Sequence, residues 1–259
     1  MTVAKKIAIL HTDHPADWTY PYGSFDEMTS KLLDTTRPET VSPEHYIYKV
    51  FDTYNGEIPT AQELSSEEYM GIFITGSRYD SFSQDTDWII RLRELLVELL
   101  DDSKTYPPIV GICFGHQVVA CALGGKVDRN PVGFEGGVVP VNLNEHGVKL
   151  FGQDKLNLSM VHNDAVLEHP KNDSIVNWGS TARCASQGFY KPGRLLTFQG
   201  HPEFVSQVAK NGWKKTLDNP NVKFSEGQLE EMEELTSTLD NHGYSAAADV
   251  IWKLLTKQI

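Results

Sequence analysis

Short apolar segments alternate with amphipathic ones through the first half of this 259-residue chain, and this alternation restricts the fold more than any other feature. The apolar segments are residues 6–10, 46–51, 70–75 and 108–113. Between the last two, residues 86–100 carry apolar side chains at three- and four-residue spacing, which predicts an amphipathic helix. Apolar strands that alternate with such helices predict an α/β fold with a mostly parallel central sheet and helices on both faces.

The pattern changes after Gly125, where helical periodicity fades until about Phe198. Short apolar runs at 137–143, 156–161 and 195–198 lie between clusters of Gly, Asn, Asp and Pro. Runs bounded in this way are typical of strands. We therefore expect further strands here, some of them antiparallel, that extend the same sheet.

The last part of the chain carries two signals for helices. Ser225 and Gln228 have the S-x-x-Q spacing of a capping box and predict a helix over 229–239. Ser245 is the predicted cap of a last helix over 246–257. We therefore expect the chain to end in helices.

Composition and charge restrict the partners and the compartment. The 40% of hydrophobic residues can bury a core, and no apolar run approaches the ~18 residues of a membrane span. The net charge of −12 argues against nucleic acid and against an anionic membrane as partners. Three scattered cysteines are too few for a disulfide framework and predict a reducing compartment, so we expect a cytoplasmic protein. Without a repeat or a linker, we expect one domain over 1–259, with a core at about 6–203 and C-terminal helices over 204–259.

The segment PPIVGICFGHQVVACALGG, residues 107–125, predicts a reactive cysteine. An apolar strand runs into Cys113, Gly111 and Gly115 flank the turn, and a helix follows. This G-x-C-x-G is the cysteine counterpart of a nucleophile elbow, in which glycines permit a sharp turn that exposes the side chain. The free N–H groups and the dipole at a helix N-terminus favour the thiolate form. We therefore predict that Cys113 is a nucleophile.

A second segment, RLLTFQGHPEF at 194–204, supplies a base and a group that orients it. Its strand is followed by His201, Pro202 and Glu203. Residues two apart in an extended chain point to the same side, and Pro202 restricts the backbone between the two polar residues. Glu203 would bind one ring nitrogen of His201 and leave the other facing Cys113.

A third segment, MGIFITGSRYD at 70–80, predicts an oxyanion hole. Its strand ends at Thr75, Gly76 and Ser77, and a glycine there lets a main-chain N–H point into the site. The amide of Phe114 directly follows the predicted nucleophile. Together, the Gly76 and Phe114 amides would bind the oxyanion of a tetrahedral intermediate.

GICFGHQ at 111–117, followed far downstream by HPE at 201–203, resembles the class I glutamine amidotransferase family. Three further segments resemble parts of this family in matching order: ITGS at 74–77, GFEGGVVPV at 133–141 and MVHNDAV at 160–166. Stand-alone fungal proteins of this type are similar, and GMP-synthetase glutaminase domains and plant γ-glutamyl peptidases are further relatives. The resemblance implies a single-domain, flavodoxin-like α/β fold.

The resemblance also implies a catalytic role for each matching residue. Cys113 would attack the γ-carbonyl of a glutamine-like side chain and form a thioester, while His201 would carry the protons. Glu203 would hold the imidazole, and the main-chain N–H groups of Gly76 and Phe114 would stabilise the oxyanion. We therefore expect a hydrolytic enzyme with a Cys–His–Glu triad.

The substrate would be glutamine, hydrolysed to glutamate and ammonia. By resemblance, Gln117 and the main chain around His162 and Asn163 would contact its α-amino-acid end, and no metal or organic cofactor is needed. No P-loop or ATP-pyrophosphatase signature is present, so an ammonia-accepting synthetase would have to be another chain. Two alternatives stay open: a stand-alone γ-glutamyl peptidase acting on compounds such as glutathione, and a catalytically silent binding or regulatory relative.

The remaining polar residues carry weaker signals. His11, Asp13 and His14 cluster after the first strand, and we expect a polar loop at the rim of the sheet rather than metal ligands. Glu135 and Asp164 would either shape the pocket or be exposed acids on loops, and both interpretations stay open.

Overall fold

The computed structural model describes residues 4–65 and 67–259, so the first three residues of the expected domain lie outside the described residues. The strands, numbered along the chain, are β1 (Lys5–His11), β2 (Tyr46–Asp52), β3 (Tyr69–Ile74), β4 (Ile109–Ile112), β5 (Lys126–Arg129), β6 (Glu135–Leu143), β7 (Lys155–His162), β8 (Asp164–Glu168), β9 (Val176–Asn177), β10 (Gly179–Ser180), β11 (Phe189–Lys191) and β12 (Leu195–Phe198). The helices are α1 (Phe25–Thr36), α2 (Asp87–Leu99), α3 (Phe114–Ala122), α4 (Glu145–Phe151), α5 (Ser206–Thr216), α6 (Gln228–Thr238) and α7 (Ala248–Leu255). Short 3₁₀ segments lie at Asp17–Thr19, Pro43–His45 and Thr53–Asn55, and a π-helical segment lies at Gly243–Ala247. Within the described residues, no helix has the length and apolar character needed to cross a membrane.

The central sheet has the strand order β2-β1-β3-β4-β12-β11-β9. Five of its strands run parallel, namely β2, β1, β3, β4 and β12, whereas β11 and β9 are antiparallel to their neighbours. In β1, Ile7 and Ile9 pack with α1 and α7 on one face, while Ala8 and Leu10 pack with α2 and α3 on the other. The predicted α/β fold, with a mostly parallel sheet covered on both faces, is confirmed.

The elements predicted for the first half of the chain are present, and they fix where the site lies. The four apolar segments form β1 to β4, and the predicted helix over 86–100 is α2. Because β1, β3, β4 and β12 are parallel, their carboxyl ends lie along one edge of the sheet. The loops that carry Gly76, Cys113 and His201 all begin at this edge.

The expectation that the middle strands extend the central sheet is wrong for two of the three predicted runs. β6 and β7 instead form a separate antiparallel sheet with β10, and β5 pairs with β8 in a two-stranded ribbon. Among the predicted runs, residues 195–198 do enter the central sheet, as β12. A Cβ on Gly137 would lie 3.0 Å from the Met232 carbonyl oxygen, so β6 approaches α6 closely. This packing partner, 95 residues away, is invisible to local periodicity.

The predicted caps of the C-terminal helices also need correction. Ser225 does bind Gln228, through its N–H to Oε1 at 2.9 Å, but α6 begins at Gln228 after Gly227 in a left-handed conformation. Ser245 lies inside the π-helical segment, where its hydroxyl contacts the His242 carbonyl oxygen at 3.3 Å. α7 therefore begins at Ala248, three residues after the predicted cap.

Candidate active site

Cys113 lies at the junction of β4 and α3. Its backbone has φ of +50° and ψ of −98°, a conformation that residues other than glycine rarely adopt. A Cβ on Gly115 would lie 2.4 Å from the Ile74 carbonyl oxygen, and one on Gly111 would lie 2.7 Å from the Gly115 carbonyl oxygen. Close backbone packing therefore requires both glycines, and the sharp strand-to-helix turn expected from the sequence is present.

His201 and Glu203 form a buried pair in the turn after β12. His201 Nδ1 lies 2.7 Å from Glu203 Oε1, and the two side chains are 3% and 0% exposed. Burial alone would lower the pKa of His201, but the charges of Glu203 and Cys113 outweigh this effect and raise the pKa to about 10. A hydrogen bond with the Cys113 side chain acts in the same direction. Since β12 and β4 are neighbours, the fold brings all three predicted side chains together.

Gln199, which is not among the predicted site residues, belongs to the same cluster. Its Nε2 donates to Cys113 Sγ at 3.7 Å, and its Oε1 accepts from Gln117 Nε2 at 3.1 Å. Gln199 is fully buried, so this amide is a fixed donor beside the sulfur. The signal in the sequence is a polar residue directly after the buried run LLTF.

The amides of Gly76 and Phe114 are both free to act as donors. Neither N–H meets an acceptor within residues 4–65 and 67–259. The hydroxyl of Thr12 donates to the Thr75 carbonyl oxygen at 3.1 Å, and in a trans peptide the Gly76 N–H points the opposite way. A Cβ on Gly76 would lie 2.7 Å from His201 Cε1, so the residue packs directly against the imidazole.

An aromatic cluster of Trp18, Phe25 and Phe204 packs around the imidazole. The Phe204 ring stacks on the His201 ring, with centroids 3.9 Å apart and planes at 9°. Phe25 lies 6.1 Å from His201, and Trp18 meets the Phe204 ring edge-on at 5.7 Å. The plane of the imidazole is therefore held by packing as well as by Glu203. No local pattern predicted this cluster, because Trp18 and Phe25 come from the loop after β1 and the start of α1.

A cavity of about 320 Å³ opens beside Cys113 and His201. The three residues predicted to contact a substrate, Gln117, His162 and Asn163, all line it. The same cavity is lined by residues of α5 and of the segment after it: Lys215, Thr216, Asn219, Asn221 and Val222. The space therefore continues past the three clustered side chains.

Glu135 is a buried carboxylate that holds the side chain of His162. His162 Nε2 lies 3.0 Å from Glu135 Oε2, and Nδ1 lies 3.0 Å from the Asp164 carbonyl oxygen. Glu135 also accepts from Thr181 Oγ1 at 2.6 Å and from Gln187 Nε2 at 2.8 Å. Burial would raise the pKa of Glu135, but these contacts outweigh it and hold the pKa low. The imidazole of His162 is thus engaged on both ring nitrogens.

Asp164 is part of the cavity wall rather than an exposed loop acid. Its two oxygens lie 2.6 and 2.7 Å from Arg129 Nη1, and Arg129 Nη2 donates to Asp80 at 2.9 Å. All three side chains line the cavity. Burial raises the pKa of Asp164, and the opposing contact with Arg129 does not fully offset it. One wall therefore presents a cation between two carboxyl groups.

His11, which was expected after the first strand, is the last residue of β1, and Asp13 and His14 follow it with contacts of their own. Asp13 accepts from the main-chain N–H and the Nε of Arg78 at 3.0 and 3.2 Å, and it caps the His14 amide at 2.8 Å. His11 Nδ1 lies 3.1 Å from an Asp26 oxygen. Across the described ranges, no group of three or more His, Cys, Asp or Glu side chains is arranged to hold a metal ion.

Comparisons with known proteins identify the family of this chain. The family model described as Glutamine amidotransferase class-I matches residues 48–217, more than half of the chain. A Saccharomyces cerevisiae protein named "Putative glutamine amidotransferase" is 48% identical over 259 residues, which cover 100% of each chain. Gamma-glutamyl peptidase 4 of Arabidopsis thaliana is 34% identical over 179 residues, which cover 67% of this chain and 68% of that protein.

Solved structures agree on the fold. The crystal structure of a glutamine amidotransferase from Thermotoga maritima aligns with a TM-score of 0.68 over 98% of this chain and 99% of that chain, at 19% identity. A glutamine amidotransferase structure from Methylobacillus flagellatus aligns with a TM-score of 0.67 over 99% of this chain and 97% of that one, also at 19% identity. With the family match over 48–217, these findings show that the chain belongs to the class I glutamine amidotransferase family.

Proposed function

We propose that this protein hydrolyses the amide bond of a γ-glutamyl group through a thioester on Cys113, with glutamine as the first candidate substrate. The observation that most supports this is the cluster of Cys113, His201 and Glu203 beside a cavity, with a histidine whose pKa is raised by its two partners. Membership of the family supports γ-glutamyl chemistry.

In the acylation step, the Cys113 thiolate attacks the carbonyl carbon of the γ-amide. The oxyanion that forms accepts hydrogen bonds from the amides of Gly76 and Phe114. The tetrahedral intermediate collapses as its C–N bond breaks, and His201 gives its proton to the departing nitrogen. Ammonia or an amine leaves, and a γ-glutamyl thioester remains on Cys113.

In the deacylation step, water attacks the carbonyl carbon of the thioester while His201 accepts a proton. The second tetrahedral intermediate expels the Cys113 sulfur as a thiolate, and glutamate is released. Glu203 holds the imidazole in both steps through the 2.7 Å contact. Gln199 donates to Sγ and stabilises the thiolate at the start and at the end of the cycle.

The α-amino-acid end of the substrate fits the charged wall of the cavity. Asp80 and Asp164 would attract the α-ammonium group, and Arg129 between them would attract the α-carboxylate. Gln117, His162 and Asn163 line the same cavity and would complete the set of contacts. A free α-amino-acid end is therefore part of the proposed substrate.

A γ-glutamyl peptide such as glutathione is the second candidate substrate. The cavity continues to a polar region at the end of α5, where Lys215, Thr216 and Asn219 line it. A leaving group larger than ammonia, with its own amide and carboxylate groups, would find partners there. Relatives named gamma-glutamyl peptidases, such as the 34% identical Arabidopsis protein, support this candidate.

The test is turnover of glutamine and of glutathione by purified protein, measured side by side. Cys113→Ser is the blank, and Cys121→Ser is the matched control, because Cys121 lies in the same helix and outside the cavity. Release of ammonia from glutamine supports a glutaminase, and cleavage of glutathione supports a peptidase. If the wild-type protein, with Cys113 unmodified, hydrolyses neither substrate, the proposal is contradicted. That result would favour a catalytically silent protein with a binding or regulatory function.

An acceptor for the ammonia belongs to the glutaminase version of the proposal. A synthetase in another chain would use the ammonia that Cys113 chemistry releases. Affinity purification from native cells, followed by identification of bound proteins, tests this partner. Absence of any synthetase from the bound fraction would count against the amidotransferase role and in favour of hydrolysis alone.

A further inference from the structure

The segment 240–244, between α6 and α7, is fastened to β7. Asn157 Nδ2 donates to the Asp240 carbonyl oxygen at 3.1 Å, and the His242 N–H donates to the Asn157 carbonyl oxygen at 2.8 Å. The Asn157 N–H in turn donates to His242 Nδ1 at 3.2 Å. This segment lies outside residues 48–217, the part of the chain that the family model matches.

Asn241 connects this segment to the turn that carries His201. Its Nδ2 donates to the Phe204 carbonyl oxygen at 2.8 Å and to Ser159 Oγ at 2.6 Å, while its Oδ1 accepts from the Gly243 N–H at 2.8 Å. The carbonyl oxygen of Ser159 accepts from the His201 N–H at 2.8 Å. Both ends of the turn from His201 to Phe204 are therefore held by the pair of Asn241 and Ser159.

The Phe204 ring carries this restraint to the imidazole. It is fully buried and stacks on His201 at a centroid distance of 3.9 Å with planes at 9°. Because the carbonyl of Phe204 is fixed by Asn241, its backbone and hence its ring have little freedom to shift. A shift of the ring would tilt the imidazole relative to Cys113.

Gly243 and Tyr244, the two residues after His242, contact the main chain of the same turn. A Cβ on Gly243 would lie 2.1 Å from the Pro202 carbonyl oxygen, so the two backbones are in direct contact. The hydroxyl of Tyr244 lies 3.4 Å from the Glu203 carbonyl oxygen. Gly243 is also the first residue of the π-helical segment. Such segments are rare overall, but many of those known lie at functional sites.

We propose that Asn241 is a positioning residue for the reaction at Cys113, acting through the Phe204 backbone and ring to hold the His201 imidazole. This inference rests on the proposed function for its kinetic consequence. The geometric part, the link from Asn241 to His201, stands on the contacts of residues 159, 201, 204 and 241. A residue 40 positions after the base, beyond the matched family region, thus belongs to the machinery of the site.

The test compares Asn241→Leu with Asn144→Leu, in the full-length protein. Both asparagines donate through Nδ2 to a main-chain carbonyl oxygen and accept a main-chain N–H at Oδ1, but the partners of Asn144 are Asn177 and the start of α4, away from the turn that carries His201. For Asn241→Leu we expect kcat to fall about tenfold with KM within about twofold, because a displaced base slows the chemical steps. For Asn144→Leu we expect kcat within about twofold, even if the melting temperatures of the two variants fall equally.

Alkylation of Cys113 by iodoacetamide at pH 7 provides a readout that needs no substrate. The rate constant, followed on the Cys113 peptide by mass spectrometry, should fall about tenfold in Asn241→Leu, because a tilted imidazolium stabilises the thiolate less. If neither glutamine nor glutathione is hydrolysed by the wild type, the proposed function fails while this rate still tests the positioning. Equal alkylation rates in Asn241→Leu and the wild type would overturn the inference.

Two further variants keep the test decisive if Asn241→Leu does not fold. Asn241→Ser is smaller, retains one donor, and should give an intermediate loss of alkylation rate. Phe204→Leu removes the stacked ring, and combining it with Asn241→Ser should add less than the two single effects, since both act through one ring. Fully additive effects would show that Asn241 does not act through Phe204.

Discussion

The turn that carries Cys113 and the turn that carries His201 are held in place by different kinds of contact. Gly111 and Gly115 fix the first turn through local backbone packing, helped by the end of the neighbouring strand at Ile74. Contacts from distant parts of the chain fix the second, among them those of Ser159 and Asn241. The position of Cys113 should therefore be sensitive to small substitutions in its own turn. The position of His201 should be sensitive to substitutions far from it in sequence.

This difference explains why the two turns are not equally visible in the sequence. A cysteine flanked by glycines is a local pattern, because the residues that permit the sharp turn are the ones next to the cysteine in sequence. The packing around His201 depends on residues from β7, α1 and the segment before α7, which only the folded chain brings together.

The largest expected effect concerns the charge beside His201. In Glu203→Gln, the amide keeps the shape of the side chain but removes the charge that stabilises the imidazolium. We expect kcat to fall about 1000-fold, within the range for general acid–base groups. Steady-state kinetics with the better of the two substrates measures this effect. A loss of less than about tenfold would mean that Glu203 does not support the base.

The next effect tests the local frame of the nucleophile. In Gly115→Ala, the new Cβ would lie 2.4 Å from the Ile74 carbonyl oxygen, so the elbow must shift. We expect kcat/KM to fall about 100-fold, since a displacement of about 1 Å has this effect. Gly124→Ala, just after α3, meets no atom within 4 Å but is strained by its φ of +78°, so it is the control for a loss of stability away from the site. Equal losses in the two variants would contradict the local explanation.

A smaller effect is expected at the charged wall of the cavity, which Asp80, Arg129 and Asp164 form. Here we expect substrate binding to depend on charge rather than on backbone packing. Asp164→Asn should raise KM for glutamine about tenfold with kcat within about twofold, because it removes the charge proposed to bind the α-ammonium group. Glutaramate, which lacks the α-amino group, should show no change in KM between the two proteins. Asp249→Asn, which lies in an ion pair with Lys253 at 2.7 Å on α7, is the control. An equal change for both substrates would exclude this contact.

The smallest effect is a change in pH dependence. With its pKa raised to about 10, His201 keeps its proton through neutral pH, so kcat/KM should stay flat to about pH 9 and fall near pH 10. Glu203→Gln should move this alkaline limb to lower pH, since it removes a charge that raises the pKa of His201.

The protonated His201 ring also contributes stability to the fold, which is complete below pH 6.5 and is lost as pH rises through about 10. Urea unfolding across this range should show the same loss, and a flat profile would contradict the pairing.

The sequence predicted the three clustered side chains better than their surroundings. The strands β1 to β4, the helix α2, and the residues Cys113, His201 and Glu203 could be recognised because each sits in a local pattern. Gln199 carries only a weak signal, a polar residue after a buried run, and Phe204 and Asn241 carry none, since their contacts depend on which strands become neighbours and on chain segments far apart. The separate sheet of β6 and β7 was misassigned for the same reason: periodicity predicts a strand but not its partner.

The most direct test of the central claim is to trap the covalent intermediate. Wild-type protein would be mixed with glutamine or glutathione, quenched with acid within milliseconds to seconds, and digested for mass spectrometry. We expect a γ-glutamyl group on the peptide that contains Cys113, released by hydroxylamine and absent from Cys113→Ser. Turnover without this adduct in the wild type, or turnover that persists in Cys113→Ser, would contradict a thioester mechanism at Cys113.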